Sequence, residues 1–196
     1  MIAIDYRTIP VDELVMNESE TARRLHTAKG FEMEQIDECF AELKKVVNCK
    51  FSAVRCDVKY FGDDCLDCGF GELKSATLIK NLQGCKEVFV FAVTLGLGVD
   101  RLLNQLSLVS PAKHFITDAL ASSMAEAAAD LADDLVKGEI LCRPRFSPGY
   151  GDLPLEVQPK ILNLLNAQRL LGITTNKAFL MSPGKSVTAI MGIKNE

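Results

Sequence analysis

The segment from Arg143 to Pro154 concentrates the residue types that could bind a small ligand. Its twelve residues include two arginines, one tyrosine, two glycines and three prolines. A guanidinium can pair with a carboxylate through two parallel hydrogen bonds, and an aromatic ring can pack against a cation. Bulk stability does not need such a segment, because it buries little apolar area. Arg145 and Tyr150 are the side chains in it best suited to binding.

The backbone of this segment is predicted to be stiff. Each proline biases the residue before it toward an extended conformation. Ser147-Pro148-Gly149 predicts a type II turn, with proline at its second position and a positive-φ glycine at its third. The segment should therefore be extended, with one sharp bend that holds Arg145 and Tyr150 in fixed directions. An ordered loop without a ligand explains the same composition equally well.

A family resemblance favours the binding interpretation. Read as Arg-x-x-Pro-Gly-Tyr-x-x-x-Pro from Arg145, the segment resembles the S-adenosylmethionine-binding motif of the reactivation domain of cobalamin-dependent methionine synthase. Downstream, Met181 to Val187 is similar to the Met-x-Pro-Gly-x-Ser-Val segment of that family, and the order and spacing of the two pieces also fit. The resemblance extends from about Ala119 to Ile193 and is weak across the first half of the chain, so we expect a stand-alone relative rather than the methionine synthase domain itself.

The resemblance implies roles for individual residues. Arg145 would bind the carboxylate of S-adenosylmethionine, and the backbone at two glycines would lie close to its adenosine. Tyr150 and two acidic positions, Glu126 and Glu139, would favour its ammonium and sulfonium groups. The expected ligand-binding residues are Arg145, Tyr150, Glu126, Glu139, Gly149 and Gly151.

The acidic residues of the predicted helix from Pro111 to Lys137 need separate interpretation. Glu126, Asp130 and Asp133 fall on an arc away from the apolar stripe of that helix. Such an arc is ordinarily a solvated face. Only Glu126 matches an acidic position of the family, so Asp130 and Asp133 are expected to lie outside the site.

The function implied by the resemblance is an accessory one in methionine biosynthesis. In the family, cobalamin occasionally oxidises to an inactive cobalt(II) state. A flavodoxin or another reductase then supplies an electron, and bound S-adenosylmethionine supplies a methyl group. This sequence has no evident corrin-binding histidine motif, so the cobalamin should arrive on a partner methionine synthase or another corrinoid protein. The protein is not expected to be a catalytic methyltransferase alone.

Two other functions stay open. An acidic contact of the family's N-terminal segment and a late tyrosine have no recognisable counterpart here, which allows a ligand-free interaction module of the same fold. The second alternative is a metal or redox protein built on Cys56, Cys65 and Cys68. A single Cys-x-x-Cys supplies only half a tetrahedral zinc site, and no second pair follows at finger-like spacing. We therefore expect no metal site.

Chain length and the absence of a linker predict one domain covering residues 1–196, and the order of its predicted strands and helices predicts an α+β fold. The chain is 48% hydrophobic and 24% charged, and its net charge of −4 argues against a nucleic-acid partner. No apolar run approaches the ~20 residues of a membrane span. No signal peptide is evident, and seven irregularly spaced cysteines suggest reduced thiols in the cytoplasm.

The periodicity predicts a bent, mostly antiparallel sheet with a long helix packed on it. The unbroken apolar run from Val88 to Val93 is typical of a strand covered on both faces. Ser110 can cap a helix that begins at Pro111 and runs to about Lys137. A further single helix is predicted from Leu155 to Leu171.

Overall fold

The computed structural model describes residues 4–26 and 33–194 and confirms the predicted α+β class. The strands are β1 (Asp5–Ile9), β2 (Cys49–Asp57), β3 (Lys59–Tyr60), β4 (Cys65–Asp67), β5 (Glu72–Lys74), β6 (Glu87–Thr94), β7 (Thr174–Thr175), β8 (Met181–Ser182) and β9 (Ser186–Ile193). The helices are α1 (Glu18–His26), α2 (Met33–Val46), α3 (Ala76–Asn81), α4 (Leu97–Val109), α5 (Pro111–Lys137), α6 (Gln158–Leu164) and α7 (Ala167–Leu170). None of these helices combines the length and apolarity needed to cross a bilayer.

The central sheet has four antiparallel strands in the order β1-β2-β6-β9. Strand β6 lies between β2 and β9, and Phe91 pairs with Ala53 on one side and Ala189 on the other. All of β6 after its first residue is buried. The prediction that this apolar run is covered on both faces is confirmed. Two smaller antiparallel sheets, β3-β4-β5 and β7-β8, complete the strands of the described residues.

The two faces of the central sheet contribute to separate cores. Phe51, Phe91 and Val93 belong to a core that also contains buried residues of α2, α4 and α5. Val54 and Val90 belong to the other core, with residues of β4, β5, α3 and α6. Alternation along each strand sends neighbouring side chains to opposite faces, so one set of strands fills both cores.

Helix α5 has the bounds predicted from sequence. Ser110 caps it by accepting a hydrogen bond from the Lys113 backbone N–H at 3.4 Å, and Pro111 occupies its first turn. It ends at Gly138, whose φ of 50° a residue with a side chain rarely adopts. Buried alanines such as Ala121 and Ala128 face the core, which leaves the opposite side of the helix for polar residues.

The predicted single helix from Leu155 to Leu171 is wrong. A 3-10 turn at Leu155–Val157 leads into α6, and α7 follows as a separate short helix. Asn166 between them has φ 49° and ψ 35°, a left-handed conformation that cannot continue a right-handed helix. Asparagine tolerates this conformation better than most residues, and helical periodicity alone does not reveal it.

The segment after α5 is extended, as predicted, and runs beside β9. The Arg143 N–H donates to the Gly192 carbonyl at 2.7 Å. Phe146 and Ile190 exchange two backbone hydrogen bonds of 2.8 Å each. These bonds fix the register of the segment along β9.

The bend at Ser147-Pro148-Gly149 is the predicted type II turn. The Tyr150 N–H donates to the Ser147 carbonyl at 3.2 Å, and Gly149 has φ 92°. Gly151 also has a positive φ, of 55°, and a Cβ there would collide with the Thr77 hydroxyl. Glycine is therefore required at both positions by backbone conformation, and at the second also by close packing.

Asp152 attaches this bend to the N-terminus of α3. Its carboxylate accepts hydrogen bonds from the hydroxyls of Ser75, at 2.5 Å, and Thr77, and from the backbone N–H groups of Ala76, at 2.8 Å, and Thr77, at 3.2 Å. The hydrogen bonds from Ser75 and then Thr77 lower the pKa of Asp152 to about 2. A carboxylate at this position also interacts favourably with the helix dipole.

Replacing Asp152 should make stability less dependent on pH in the acid range. Because its pKa is lower in the folded protein than the ~3.9 of an unfolded chain, its stabilisation is complete above pH ~4 and is lost as the pH falls toward 2. Thermal unfolding should show Asp152→Ala melting below the wild type at pH 6, with the gap closing between pH 4 and 2. Asp64→Ala, which removes only an exposed 3.9 Å ion pair to Lys74, is the control and should follow the wild type. A gap that stays constant with pH would contradict the assignment.

Candidate functional site

A cavity of about 370 Å³ opens between the segment after α5 and the start of β9. Its volume is in the range of small-molecule sites. Helix α5, the bend, α6, β8 and β9 all contribute to its walls. The lining residues are Glu126, Arg145, Phe146, Ser147, Pro148, Tyr150, Gln158, Met181, Ser186, Val187 and Thr188.

The cavity brings together the two sequence motifs. Arg145 and Tyr150 come from the first motif, and Met181, Ser186 and Val187 come from the second. The motifs are separated by 26 residues in sequence, and the pairing of Phe146 with Ile190 holds them side by side. The structure therefore gives the two motifs one shared surface.

Arg145 is bound by three carboxylates of α5. Its Nη1 donates to Asp130 Oδ1 at 2.6 Å and to Asp133 Oδ2 at 2.7 Å, and its Nη2 donates to Glu126 Oε2 at 3.1 Å. Burial lowers the pKa of Arg145, but the hydrogen bonds to Asp130 and Asp133 raise it by more, so the net shift is upward. The guanidinium stays charged at every physiological pH.

The three carboxylates contribute unequally. The side chain of Asp133 is 18% exposed, that of Glu126 42% and that of Asp130 69%. Burial raises the pKa of Asp133, against the lowering effect of Arg145, and its Oδ1 has no partner among the described residues. Exposed ion pairs contribute little because water screens them, so Asp133 is the main partner of Arg145.

The structure adds contacts that the sequence did not predict. Arg145 was expected to bind the carboxylate of the ligand and Glu126 its cationic groups, and the structure places these two side chains in direct contact. Asp130 and Asp133 were expected outside the site, and both bind Arg145. The signal that could have found them is their spacing, because residues at i, i+4 and i+7 from Glu126 share one helix face.

The pairing leaves part of the guanidinium available. An arginine has five N–H donors, and the three bonds to α5 use both on Nη1 and one on Nη2. The Nε donor and the second Nη2 donor have no hydrogen-bond partner among the described residues, 4–26 and 33–194. With Arg145 counted as +1 and each carboxylate as −1, the cluster has a net charge of −2 when all are ionised. This surplus negative charge favours a ligand that carries cationic groups.

Lys185 attaches the second motif to the same helix. Its Nζ donates to Asp118 Oδ1 and to Ser122 Oγ, both at 2.8 Å, and its side chain is 17% exposed. Asp118, Ser122 and Glu126 follow one another at four-residue spacing, so they lie on one side of α5. One polar stripe of α5 therefore holds both motifs.

Aromatic and apolar side chains form the other walls. The rings of Phe146 and Tyr150 meet edge to face, with centroids 6.5 Å apart and an interplanar angle of 61°. Tyr150 is 66% exposed and lines the cavity, so much of its side chain is accessible to a ligand. Met181 and Val187 add apolar surface nearby. The cavity thus combines a charged end with an uncharged, partly aromatic region.

Comparison with solved structures finds the same architecture. The MetH reactivation domain bound to AdoHcy superimposes with a TM-score of 0.67 and 17% sequence identity, over 97% of this chain and 78% of that chain. The chain has the fold of a reactivation domain. The resemblance inferred from the two motifs is thereby confirmed at the level of the fold. No family model and no curated protein matches the sequence.

The six predicted ligand-binding residues differ in where they lie relative to the cavity. Arg145, Tyr150 and Glu126 line the cavity. Gly149 and Gly151 lie in the bend beside it, and the missing side chain of Gly149 faces Leu155, at 3.2 Å from an ideal Cβ. Glu139 is exposed in the turn after α5 and is not a lining residue. Binding roles for all six residues stay predictions.

Gln158 and Thr188 are lining residues that sequence reasoning missed. They are 4% and 1% exposed, and the Thr188 hydroxyl donates to Gln158 Oε1 at 2.6 Å. Gln158 precedes the buried Ile161 and Leu165 at spacings of three and seven. A polar residue on an otherwise apolar helical stripe was the signal that could have identified it.

The cysteines proposed for metal or redox chemistry lie away from the cavity. Cys56 and Cys68 are buried, and burial raises the pKa of both thiols, that of Cys68 to about 12. Cys65 is partly exposed. No group of three or more His, Cys, Asp or Glu side chains in the described part of the chain is arranged to hold a metal ion. Buried protonated thiols of this kind are poor nucleophiles.

Removing the Arg145 guanidinium should destabilise the protein. Arg145→Ala is expected to lower the free energy of unfolding by ~1.5–3 kcal/mol, because it deletes charged hydrogen bonds and leaves Asp133 partly buried without its cation. Urea unfolding measures the change. Double-mutant cycles should show stronger coupling of Arg145 to Asp133, tested with Asp133→Asn, than to the exposed Asp130, tested with Asp130→Asn. Equal couplings would contradict the ranking by burial.

Proposed function

We propose that the protein binds S-adenosylmethionine in this cavity and serves as an accessory in the reductive methylation of cobalamin carried by a partner. The observation that supports the proposal most is the meeting of both motifs at one cavity whose charged end has a surplus of carboxylates. The partner is a methionine synthase or another corrinoid protein. A flavodoxin-like protein or another reductase supplies the electron.

The charges of the ligand match the charged end of the cavity. S-adenosylmethionine carries a carboxylate, an ammonium and a sulfonium. The carboxylate pairs with the remaining Nε and Nη2 donors of Arg145. The two cations are attracted by the net negative charge around Glu126, and the exposed ring of Tyr150 offers a second favourable contact.

The solved neighbour supports the same ligand class. The MetH reactivation domain of similar fold was crystallised with AdoHcy. AdoHcy differs from S-adenosylmethionine by the methyl group and by the positive charge on sulfur. A cavity with surplus carboxylates should favour the charged form, which is the one that can donate a methyl group.

The protein's own contribution is orientation of the methyl donor. Cobalamin, when a partner carries it, supplies the metal that accepts the methyl group, which a protein side chain does not replace. Arg145 fixes the amino-acid end of the donor, and the rigid turn around Gly149 fixes the wall beside it. Reduced, buried thiols such as Cys68 suit a reducing compartment, and we place the protein in the cytoplasm.

A ligand-free interaction module is the second candidate. The observation in its favour is that Arg145 has three carboxylate partners within the protein itself. Such a module needs the motif for structure and gains nothing from S-adenosylmethionine. Calorimetric titration of the protein with S-adenosylmethionine distinguishes the two functions.

Arg145→Ala should weaken S-adenosylmethionine binding by about 10- to 150-fold, the equivalent of a hydrogen bond to a charged group. Arg145→Lys keeps the charge but loses the planar fork, so it should recover only part of that loss. Titration calorimetry below the unfolding range of each variant gives the dissociation constants.

Arg143→Ala is the matched control for this series. Arg143 lies two residues away and its Nη2 donates to the Gln83 carbonyl at 2.8 Å, outside the cavity. Its replacement should change affinity by less than about threefold, as expected for a residue making at most a weak exposed interaction with the ligand. The assignment fails if Arg143→Ala abolishes binding while Arg145→Ala leaves it intact.

The accessory role predicts a result in a reconstituted system. A cobalt(II)-inactivated corrinoid partner, mixed with S-adenosylmethionine, a reductant and this protein, should regain turnover, because the protein presents the methyl donor. The protein alone should transfer no methyl group to homocysteine. Equal recovery with and without this protein would show that the accessory role is wrong.

A further inference from the structure

Gln158 is a buried polar residue at the wall of the cavity. It begins α6, is 4% exposed and lines the cavity with Thr188. Buried polar atoms in proteins nearly always have a hydrogen-bond partner. The two ends of its carboxamide differ in this respect, and the difference points to a ligand.

The oxygen end of the carboxamide is already bound. The Thr188 hydroxyl donates to Gln158 Oε1 at 2.6 Å, and Thr188 is itself 1% exposed on β9. This bond fixes the rotation of the carboxamide, so the nitrogen must point away from Thr188. A strand residue 30 positions away in sequence thus sets the direction of the amide donors.

The nitrogen end has no protein partner. Gln158 Nε2 carries two N–H donors and makes no hydrogen bond within the described ranges of the chain. It is also not one of the fully enclosed unpartnered atoms, unlike Asp133 Oδ1 or Ser52 Oγ. The donors therefore reach the cavity, where a ligand can satisfy them.

The chemistry of this donor differs from that of the charged end. Glu126 and Arg145 provide the charged groups of the cavity, whereas Gln158 offers a neutral donor in a wall that also contains Phe146, Tyr150 and Met181. A neutral donor beside aromatic and apolar surface suits a neutral acceptor on a flat, largely apolar group. The ring nitrogens of a purine are acceptors of this kind.

We infer that Gln158 recognises the adenine base of the bound ligand, donating from Nε2 to a purine ring nitrogen while Thr188 holds the carboxamide in place. Gln158 is thus a specificity-determining residue, and Thr188 is a positioning residue. The inference rests on the proposed function, since it assumes that an adenosine-containing ligand occupies the cavity.

The test uses two ligands that share the nucleoside. Methylthioadenosine keeps the adenosine and lacks the amino-acid end of S-adenosylmethionine. The double variant Gln158→Met with Thr188→Val removes both partners of the internal bond, which avoids leaving one of them unsatisfied. It should bind both ligands about 3- to 10-fold more weakly, the equivalent of one neutral hydrogen bond. Arg145→Ala, in contrast, should weaken S-adenosylmethionine and change methylthioadenosine by less than about threefold.

A second variant keeps the internal bond. Gln158→Glu has the same size and still accepts from Thr188, but an ionised carboxylate has no donor to offer the base. It should weaken methylthioadenosine binding by more than about tenfold, because an acceptor then faces an acceptor. Thermal melts check that both variants are folded at the titration temperature.

Deaza analogues identify the contact itself. Of 1-, 3- and 7-deazaadenosine, one should bind the wild type more weakly than adenosine and bind the double variant as well as adenosine does. If Gln158 had only a structural role, the double variant would still bind that analogue more weakly than adenosine. If all three analogues keep the same ratio to adenosine in both proteins, the inference is overturned.

The outcomes also separate this inference from the proposed function. If the wild type binds S-adenosylmethionine and the Gln158 variants bind it equally well, base recognition by Gln158 is wrong and the proposed function stands. If the wild type binds neither S-adenosylmethionine nor methylthioadenosine, the proposed function is wrong and the inference falls with it.

Discussion

The attachment of Arg145 to the polar side of α5 is the interaction on which the charged end of the candidate site depends. Between Cys142 and the bend, the segment is otherwise held mainly by a few backbone hydrogen bonds to β9. The guanidinium adds contacts to Glu126, Asp130 and Asp133, and Lys185 ties the turn before β9 to the same helix. These two cations attach two separate segments to one stripe of α5, and Arg145 forms the charged end of the cavity with Glu126.

The charges around Arg145 do not balance. Three carboxylates contact one guanidinium, and burial raises the pKa of one of them, Asp133, which makes its charged form costly. For stability alone, one well-placed carboxylate would serve, since additional like charges repel one another. Unbalanced, partly buried charge is typical of functional sites, where a ligand completes the arrangement. A ligand with two cationic groups and one carboxylate would do so here.

The rest of the fold serves to keep the walls of the cavity fixed. Strand β6 is buried on both faces and pairs along its length with β9, so the strand that carries Thr188 has little freedom to move. Thr188 in turn orients Gln158 at the start of α6. The charged end is thus fixed by a helix, and the uncharged end by the central sheet. A site built on such elements is more precise than one built on loops alone.

The sequence by itself determined the features that depend on near neighbours. Pro148 and Gly149 specify their turn, Ser110, Pro111 and Gly138 set the ends of α5, and the apolar run of β6 requires burial on both faces. Only the tertiary structure decided which carboxylates meet Arg145, and that Gln158 pairs with Thr188. Local propensities act over a few residues, whereas these contacts depend on how α5, α6 and β9 pack. The left-handed Asn166 belongs to the second group, because its conformation is imposed where α6 ends and α7 begins rather than by its own sequence.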